Sequence, residues 1–345
     1  MPARAEYFCR VRTKPDLKRL IADKRFREAP KLVLGGGSNI LFVNDFPGLV
    51  IQPALLGKKI LQRESGKVRL YVSAGESWDG FVRWSAENKF NGIENLVLIP
   101  GTVGGAVSQN IAAYGQNISD VVDRVLAIDL RTGKEFRFSR RECLFSYRQS
   151  RFKNIDRGRF CIYGAVFCLS EKEGKLETSY HERESRYGSL LKELASFAQE
   201  PYTAYDVMRA VVRQRQNKLP NLKQLGSCGS VFENPVVSVA QYQCLARRVP
   251  ELQSYPLEKL SYEKKQWGRF AKSEKTVKIP AGRLLDELGW RGKWFDKVGV
   301  FDRHALCVVT KKGARGVEVK KIIEKMKASV AKAYGIDLHT EINIV

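Results

Sequence analysis

Two side-chain-poor stretches carry the first hint of chemistry in this chain. One is Leu32-Val33-Leu34-Gly35-Gly36-Gly37-Ser38-Asn39-Ile40-Leu41; the other runs from Asn91 to Asp120 and contains Pro100-Gly101-Thr102-Val103-Gly104-Gly105 and Tyr114-Gly115. Glycine lacks a Cβ and reaches φ > 0, so such backbone lies close to a flat or phosphorylated ligand. Consecutive N–H groups in such a loop form a nest for a pyrophosphate. A single loop of this kind is equally well a packed internal turn, but two of them suit a ligand long enough to need both. A third segment, Phe145-Ser146-Tyr147-Arg148-Gln149-Ser150-Arg151-Phe152-Lys153, is compact, aromatic and cationic, and Gly226–Pro235 is a further Gly/Ser loop.

The elements around these loops argue against two common nucleotide folds. Short strands are expected at Lys31–Leu34, Ile40–Val43 and Leu49–Ile51, so the first glycine cluster sits between strands. A nicotinamide-type dinucleotide fold needs G-x-G-x-x-G opening into a helix. The P-loop pattern is absent as well. Hydrophobic periodicity predicts helices over 14–30, 78–89, 189–198, 206–216, 281–288 and 317–334, the last stopped by Gly335. Strands are expected at 68–74, 121–130, 135–138, 161–169, 305–310 and 338–345, while 171–200 is charged, weakly periodic and inserted in character. The class is α+β with mixed sheets in about three domains.

With 60 Lys and Arg against 37 Asp and Glu, the chain carries +23. Such charge invites polyanions, yet no helix-turn-helix, zinc-finger or RNA-binding signature accompanies it, so specific nucleic-acid binding is disfavoured. No apolar run approaches the roughly 18 residues of a membrane span. Seven cysteines without a C-x-x-C pair, and no secretory leader in the first ten residues, fit a reducing cytoplasmic setting. His181, His304 and His339 fall in no metal spacing, so no metal site is expected.

Six blocks occur in one order: L-G-G-G-S-N-I-L, I-P-G-T-V-G-G-A-V-S-Q-N-I-A-A-Y-G, Y-R-Q-S-R-F-K, K-L-P, G-S-V-F-E-N-P and A-G-R-L-L-D-E-L-G-W-R-G. In this they resemble the UDP-N-acetylenolpyruvoylglucosamine reductase (UDP-N-acetylmuramate dehydrogenase) family of bacterial peptidoglycan synthesis, over nearly the whole chain. The resemblance implies a two-part FAD-binding module of the vanillyl-alcohol-oxidase kind, 1–62 and 63–216 with the insertion at 171–200, followed by a substrate domain at 217–345. It implies NADPH as hydride donor, UDP-N-acetylglucosamine enolpyruvate as substrate in the same cleft, and a monomer. FAD would be held by Gly35, Gly36, Gly37, Ser38 and Asn39 at the pyrophosphate, and by Pro100, Gly101, Thr102, Gly104, Asn110, Tyr114 and Gly115 at the ribityl chain and ring.

The same matching assigns Arg148 to the substrate carboxylate, Ser230 to proton donation and Glu341 to support of the enolic intermediate. A guanidinium suits that carboxylate because it is permanently charged and holds two oxygens at once. A serine is a poor acid and needs neighbours; from composition alone Glu341 is one acid near a chain end. Arg215, Lys218 and Asn234 match the nucleotide-binding positions, and Tyr187 the tyrosine of the extra loop in the longer subtype. Three departures stand out. Glu6-Tyr7-Phe8-Cys9-Arg10 replaces the family's opening block, Val231 replaces a phenylalanine, and Ala112 stands where glycine is usual. A methyl at Ala112 would press on the flavin if that backbone had φ > 0. Two other readings use the same residues: an oxygen-reducing flavin oxidase of this fold, or a basic binding protein on a degenerate flavin scaffold.

Overall fold

In a computed structural model, residues 3–171, 176–178, 189–256 and 276–345 are described. The chain forms two compact units: one from Ala5–Gly37 and Pro47–Asn217, the other chiefly from Ser38–Phe46 and Lys218–Val345. The first glycine loop is therefore divided, with Gly35–Gly37 in one unit and Ser38–Asn39 in the other.

In the first unit a five-stranded antiparallel sheet runs in the order Glu135–Ser139, Val122–Asp129, Phe160–Ser170, Lys67–Ser73, Lys58–Glu64. Its centre, Phe160–Ser170, is a near-continuous apolar run with nine of its eleven residues buried, as a strand covered on both faces must be. Its edge strand Lys58–Glu64 is almost wholly exposed, Ile60 and Leu61 included, and its five charged or polar residues blunt the unpaired edge. Three strands, Ala5–Val11, Phe46–Pro53 and Lys31–Val33, make a second sheet. One buried cluster joins Val11, Leu17, Leu49 and Ile51 to Ile128, Leu130 and Cys161, so the two sheets of this unit share a core.

The helix anticipated over 14–30 is shorter. It spans Lys14–Ala22, and Asp23 ends it at ψ 120 while its carboxylate accepts from Arg25 N to open a 3-10 turn. Beside the Trp78–Glu87 helix, and packed like it on the Phe160–Ser170 strand, is a helix absent from the sequence reading, Val103–Gln109. Gly104 and Gly105 are poor helix formers. The helix forms because Thr102 caps it and Gly104 N donates to Ala74 O at 2.9 Å, anchoring the first turn to the sheet end.

The second unit holds a four-stranded sheet in the order Gly226–Ser230, Cys307–Thr310, Val298–Val300, Trp294–Phe295, with the Ala281–Glu287 and Gly316–Tyr334 helices. Val319, Ile322, Ile323, Met326 and Val330 bury one stripe of the long helix, and Gly335 ends it at φ 65. Leu41 belongs to this core, since Ile40–Leu41 pairs in parallel with Asn343–Ile344. Only these last residues of the strand expected at 338–345 form a ladder, preceded by a bridge between Phe232 and Thr340. Among the described residues no helix is long and apolar enough to cross a membrane. None of the seven cysteines forms a disulfide.

Candidate active site

In the first unit the two glycine stretches meet backbone to backbone. A Cβ built on Gly36 would lie 2.8 Å from Gly101 Cα, and one on Gly35 would lie 2.9 Å from Thr102 Oγ1. Gly35 and Gly36 are thus small partly to pack on the second loop, as the plain packed-turn reading required. Gly37 differs: it sits at φ +70 with nothing within 4 Å of a would-be Cβ. Gly101 (φ +114) and Gly115 (φ +82) likewise take conformations that favour glycine.

Around these glycines, side-chain-bearing residues accept strained backbone. Leu98, Asn110, Tyr114 and Arg148 have φ of 58, 45, 47 and 54, each costing on the order of 1 kcal/mol. Polar groups, buried or half-buried, over-determine the geometry. Asp79 accepts from Leu98 N at 2.7 Å, and Asn95 Nδ2 donates to Tyr114 O at 2.7 Å. Glu94 accepts from Gly92 N and Gln116 Nε2, both at 2.6 Å. Glu94 and Asn95 are almost fully buried; the sequence reading gave them no role, although two adjacent polar residues beside an apolar run were the available signal. Tyr114 is pushed above the usual phenol pKa by burial, an effect that the nearby Arg215 cation partly offsets.

Arg148 occupies the third position of a tight turn in which Ser146 and Gln149 exchange both backbone hydrogen bonds, at 3.0 and 2.9 Å. Glycine is the usual residue at such a position when φ is positive; here it is an arginine. Its Nη1 donates to Ala112 O at 3.0 Å, and its carbonyl accepts from Lys153 Nζ at 3.0 Å. Ala112 itself is not among the positive-φ residues and pairs with Asn117 in a short hairpin. Its methyl therefore costs no backbone strain, and the concern raised by that departure falls away.

In the second unit Ser230 ends the strand Gly226–Ser230, opposite Cys307 and just after a bulge where Gly229 takes φ +78. The next residue, Val231, is buried in the core; its N–H donates to Leu306 O and its carbonyl accepts from Glu341 N, both at 2.9 Å. Ser230 and Glu341, far apart in the chain, thus lie on adjoining backbones. Asn39 joins them: its Nδ2 donates to Glu341 O at 3.2 Å, and its carbonyl accepts from Asn343 N at 3.0 Å. Cys228, two residues before Ser230, is held protonated by burial, its pKa pushed up to about 11. It supplies no thiolate at neutral pH.

The residues matched to the nucleotide are less uniform. Arg215, on the Ala204–Lys218 helix, donates to Leu98 O at 3.3 Å and so braces the strained loop. Lys218 is the last residue of that helix, and Asn234 Oδ1 accepts from Ala281 N at 3.0 Å, capping a helix whose own N-cap is Pro280. Tyr187 lies outside the described residues.

The first unit's loops fit an FAD. Gln109 Oε1, Asn110 Oδ1 and Ser146 Oγ are buried without a hydrogen-bond partner among the described residues, a cost of about 1–3 kcal/mol each unless something else pairs them. They lie in or beside the loop matched to the ribityl chain and ring, where a ligand rich in hydroxyls and ring N–H and carbonyl groups satisfies them. Gly37 leaves backbone open to a phosphate.

Comparisons with known proteins agree in both halves. Residues 5–139 match the FAD binding domain, and 220–345 match the C-terminal domain of UDP-N-acetylenolpyruvoylglucosamine reductase. The chain is 37% identical over 341 residues to the UDP-N-acetylenolpyruvoylglucosamine reductase of Burkholderia orbicola, covering 98% of this chain and 91% of that one. Its namesake from Flavobacterium johnsoniae is 35% identical over 343 residues, covering 99% and 95%. The crystal structure of UDP-N-acetylenolpyruvylglucosamine reductase from Thermus caldophilus superposes with a TM-score of 0.59 at 21% identity, covering 98% and 91%, which shows the shared fold. The fold is α+β, an FAD binding domain followed by the reductase C-terminal domain. This chain belongs to the UDP-N-acetylenolpyruvoylglucosamine reductase family.

Proposed function

We infer that this protein reduces the enolpyruvyl group of UDP-N-acetylglucosamine enolpyruvate to the lactyl group of UDP-N-acetylmuramate, with NADPH as donor and FAD as carrier. When bound, FAD supplies hydride, received from NADPH, to the terminal carbon of the enolpyruvyl double bond. The chain's own residues manage the charge and the proton. Arg148 holds the substrate carboxylate as negative charge builds on it. Its rigid turn fixes the guanidinium before substrate arrives, so little ordering is left to be done during reaction. Ser230 Oγ–H delivers the proton to the carbon bearing the ether oxygen, and Glu341 accepts a hydrogen bond from the enolic form. Arg215, Lys218, Asn234 and Tyr187 bind the nucleotide part.

The observation that carries this reading is the ladder at Val231, which sets the backbones of Ser230 and Glu341 side by side with Asn39 across them. Seven cysteines, none of them in a disulfide, support a reducing cytoplasmic location, and peptidoglycan precursor supply links the activity to cell shape and division.

The purified protein is expected to be yellow. NADPH should bleach it without air, and UDP-N-acetylglucosamine enolpyruvate should restore the colour with one product per flavin. Restoration by oxygen alone, with no effect of the enolpyruvyl substrate, would make it an oxidase. A colourless protein that cannot be loaded with FAD would leave only a binding role.

A further inference from the structure

The Trp294–Phe295 strand leads, through a turn at Asp296 and Lys297, into Val298–Val300 and forms one edge of the second unit's sheet. Both rings are exposed, Trp294 by 41% and Phe295 by 37%, although neighbouring strand positions normally alternate between core and solvent. Lysines surround them. Lys311 Nζ stands 4.8 Å from the Trp294 ring centre and Lys325 Nζ 5.3 Å from that of Phe295. Lys293 Nζ is 5.5 Å from the Trp290 ring, which leans on Phe295 with centres 5.9 Å apart. Lys297 reaches the Gly313 turn, its Nζ 3.6 Å from a would-be Cβ there. All four lysines are exposed. Between Gly289 and Lys327 stand eleven basic residues and four acidic ones. Two of those acids are already paired, Glu318 with Arg315 and Glu324 with Lys327, which leaves the surface strongly positive.

We propose that this aromatic and lysine-rich hairpin docks the enzyme on an anionic lipid surface. Indole and phenyl rings settle at the boundary between headgroups and acyl chains, and lysines beside them pair with acidic headgroups. The ring geometry favours lipid over nucleic acid. A base stacks on an open ring face, but Trp294 lies over the Gly299 backbone, where a Cβ would meet its Cδ2 at 2.5 Å, and carries Lys311 near its ring as well. Its edge remains for insertion. The patch contains none of the residues assigned to catalysis or to FAD, so docking leaves the chemistry intact.

The test is flotation of the full-length, FAD-loaded protein with vesicles of phosphatidylcholine alone or mixed with an equal part of phosphatidylglycerol. It should float with the mixed vesicles, sink with the neutral ones, and be released by salt. Each lysine beside an anionic surface contributes roughly a five-fold gain in partition, so Lys311→Gln with Lys325→Gln should lower it by roughly thirty-fold. Trp294→Ser with Phe295→Ser should lower it at least as far. Both variants should keep their flavin and their rate of NADPH oxidation. Absence of flotation by the unaltered protein overturns the proposal, as does flotation indifferent to both variants. Patch-dependent binding to a single-stranded oligonucleotide that outcompetes the mixed vesicles also overturns it, in favour of a nucleic-acid surface.

Discussion

The segments carrying Arg148 and those carrying Ser230 and Glu341 are held in place by opposite means. Around Arg148 the backbone is strained: Leu98, Asn110, Tyr114 and Arg148 all have positive φ, pinned by Asp79, Asn95 and Arg215. Around Ser230 and Glu341 the backbone is ordinary ladder, stitched through Val231, Asn39 and Asn343. On the proposed function the contrast follows from the tasks. Main chain that must lie against a flat ring cannot also be a regular strand, so side chains and left-handed turns replace the ladder. Two side chains that need only be kept adjacent are held most cheaply by pairing their strands.

Breaking each side should therefore have a different signature. The largest effect is expected from Arg148→Lys, which keeps the charge but loses the planar fork; transfer to the enolpyruvyl substrate should fall about a hundred-fold or more, read as the rate of flavin reoxidation. Leu41→Ala should cost about 2–5 kcal/mol in denaturant melts, because Leu41 is fully buried where the Ile40–Leu41 ladder meets the core. It should lower turnover as well by loosening Asn39 and Glu341. Gly36→Ala forces backbone from backbone and should cost about 1–3 kcal/mol together with FAD affinity. Gly37→Ala meets no atom and should cost only about 1 kcal/mol of strain. Equally small, Arg148→Gly should be more stable than Arg148→Ala by about 1 kcal/mol while both are inactive, because only glycine relieves the φ of 54.

Glu135 supplies a control away from either side. Hydrogen bonds from Lys18, then Lys14, hold its pKa down to about 2 from the usual 4.5. A depressed carboxylate stabilises the fold above its unfolded pKa, so Glu135 contributes fully at neutral pH and its contribution fades as pH falls from 4.5 towards 2. Solvent screening keeps that contribution under about 1 kcal/mol. Glu135→Gln should melt slightly lower at pH 7 and match the unaltered protein near pH 2, with turnover unchanged.

What was legible in the sequence followed the strength of local pattern. The Phe160–Ser170 strand and the Gly316–Tyr334 helix announced themselves through an unbroken apolar run and a 3.6-residue stripe. The Lys58–Glu64 strand did not, because an exposed edge strand has no apolar face to display. The Val103–Gln109 helix was hidden by glycines that serve close packing, its stabilising partners being Thr102 and Ala74 rather than helix propensity. Side-chain-poor loops were visible as such. Their mutual contact was not, since nothing local says that Gly36 faces Gly101. Glu341 owed its place entirely to family resemblance, and its adjacency to Ser230 depends on a long-range ladder that no window of sequence contains.

The central claim is that Ser230 moves the proton in substrate reduction and takes no part in accepting hydride from NADPH. Anaerobic stopped-flow of Ser230→Ala tests it directly. Flavin bleaching by NADPH should proceed at close to the unaltered rate, whereas reoxidation by UDP-N-acetylglucosamine enolpyruvate should slow by about two to four orders of magnitude. Equal slowing of both half-reactions, or of neither, would contradict the assignment.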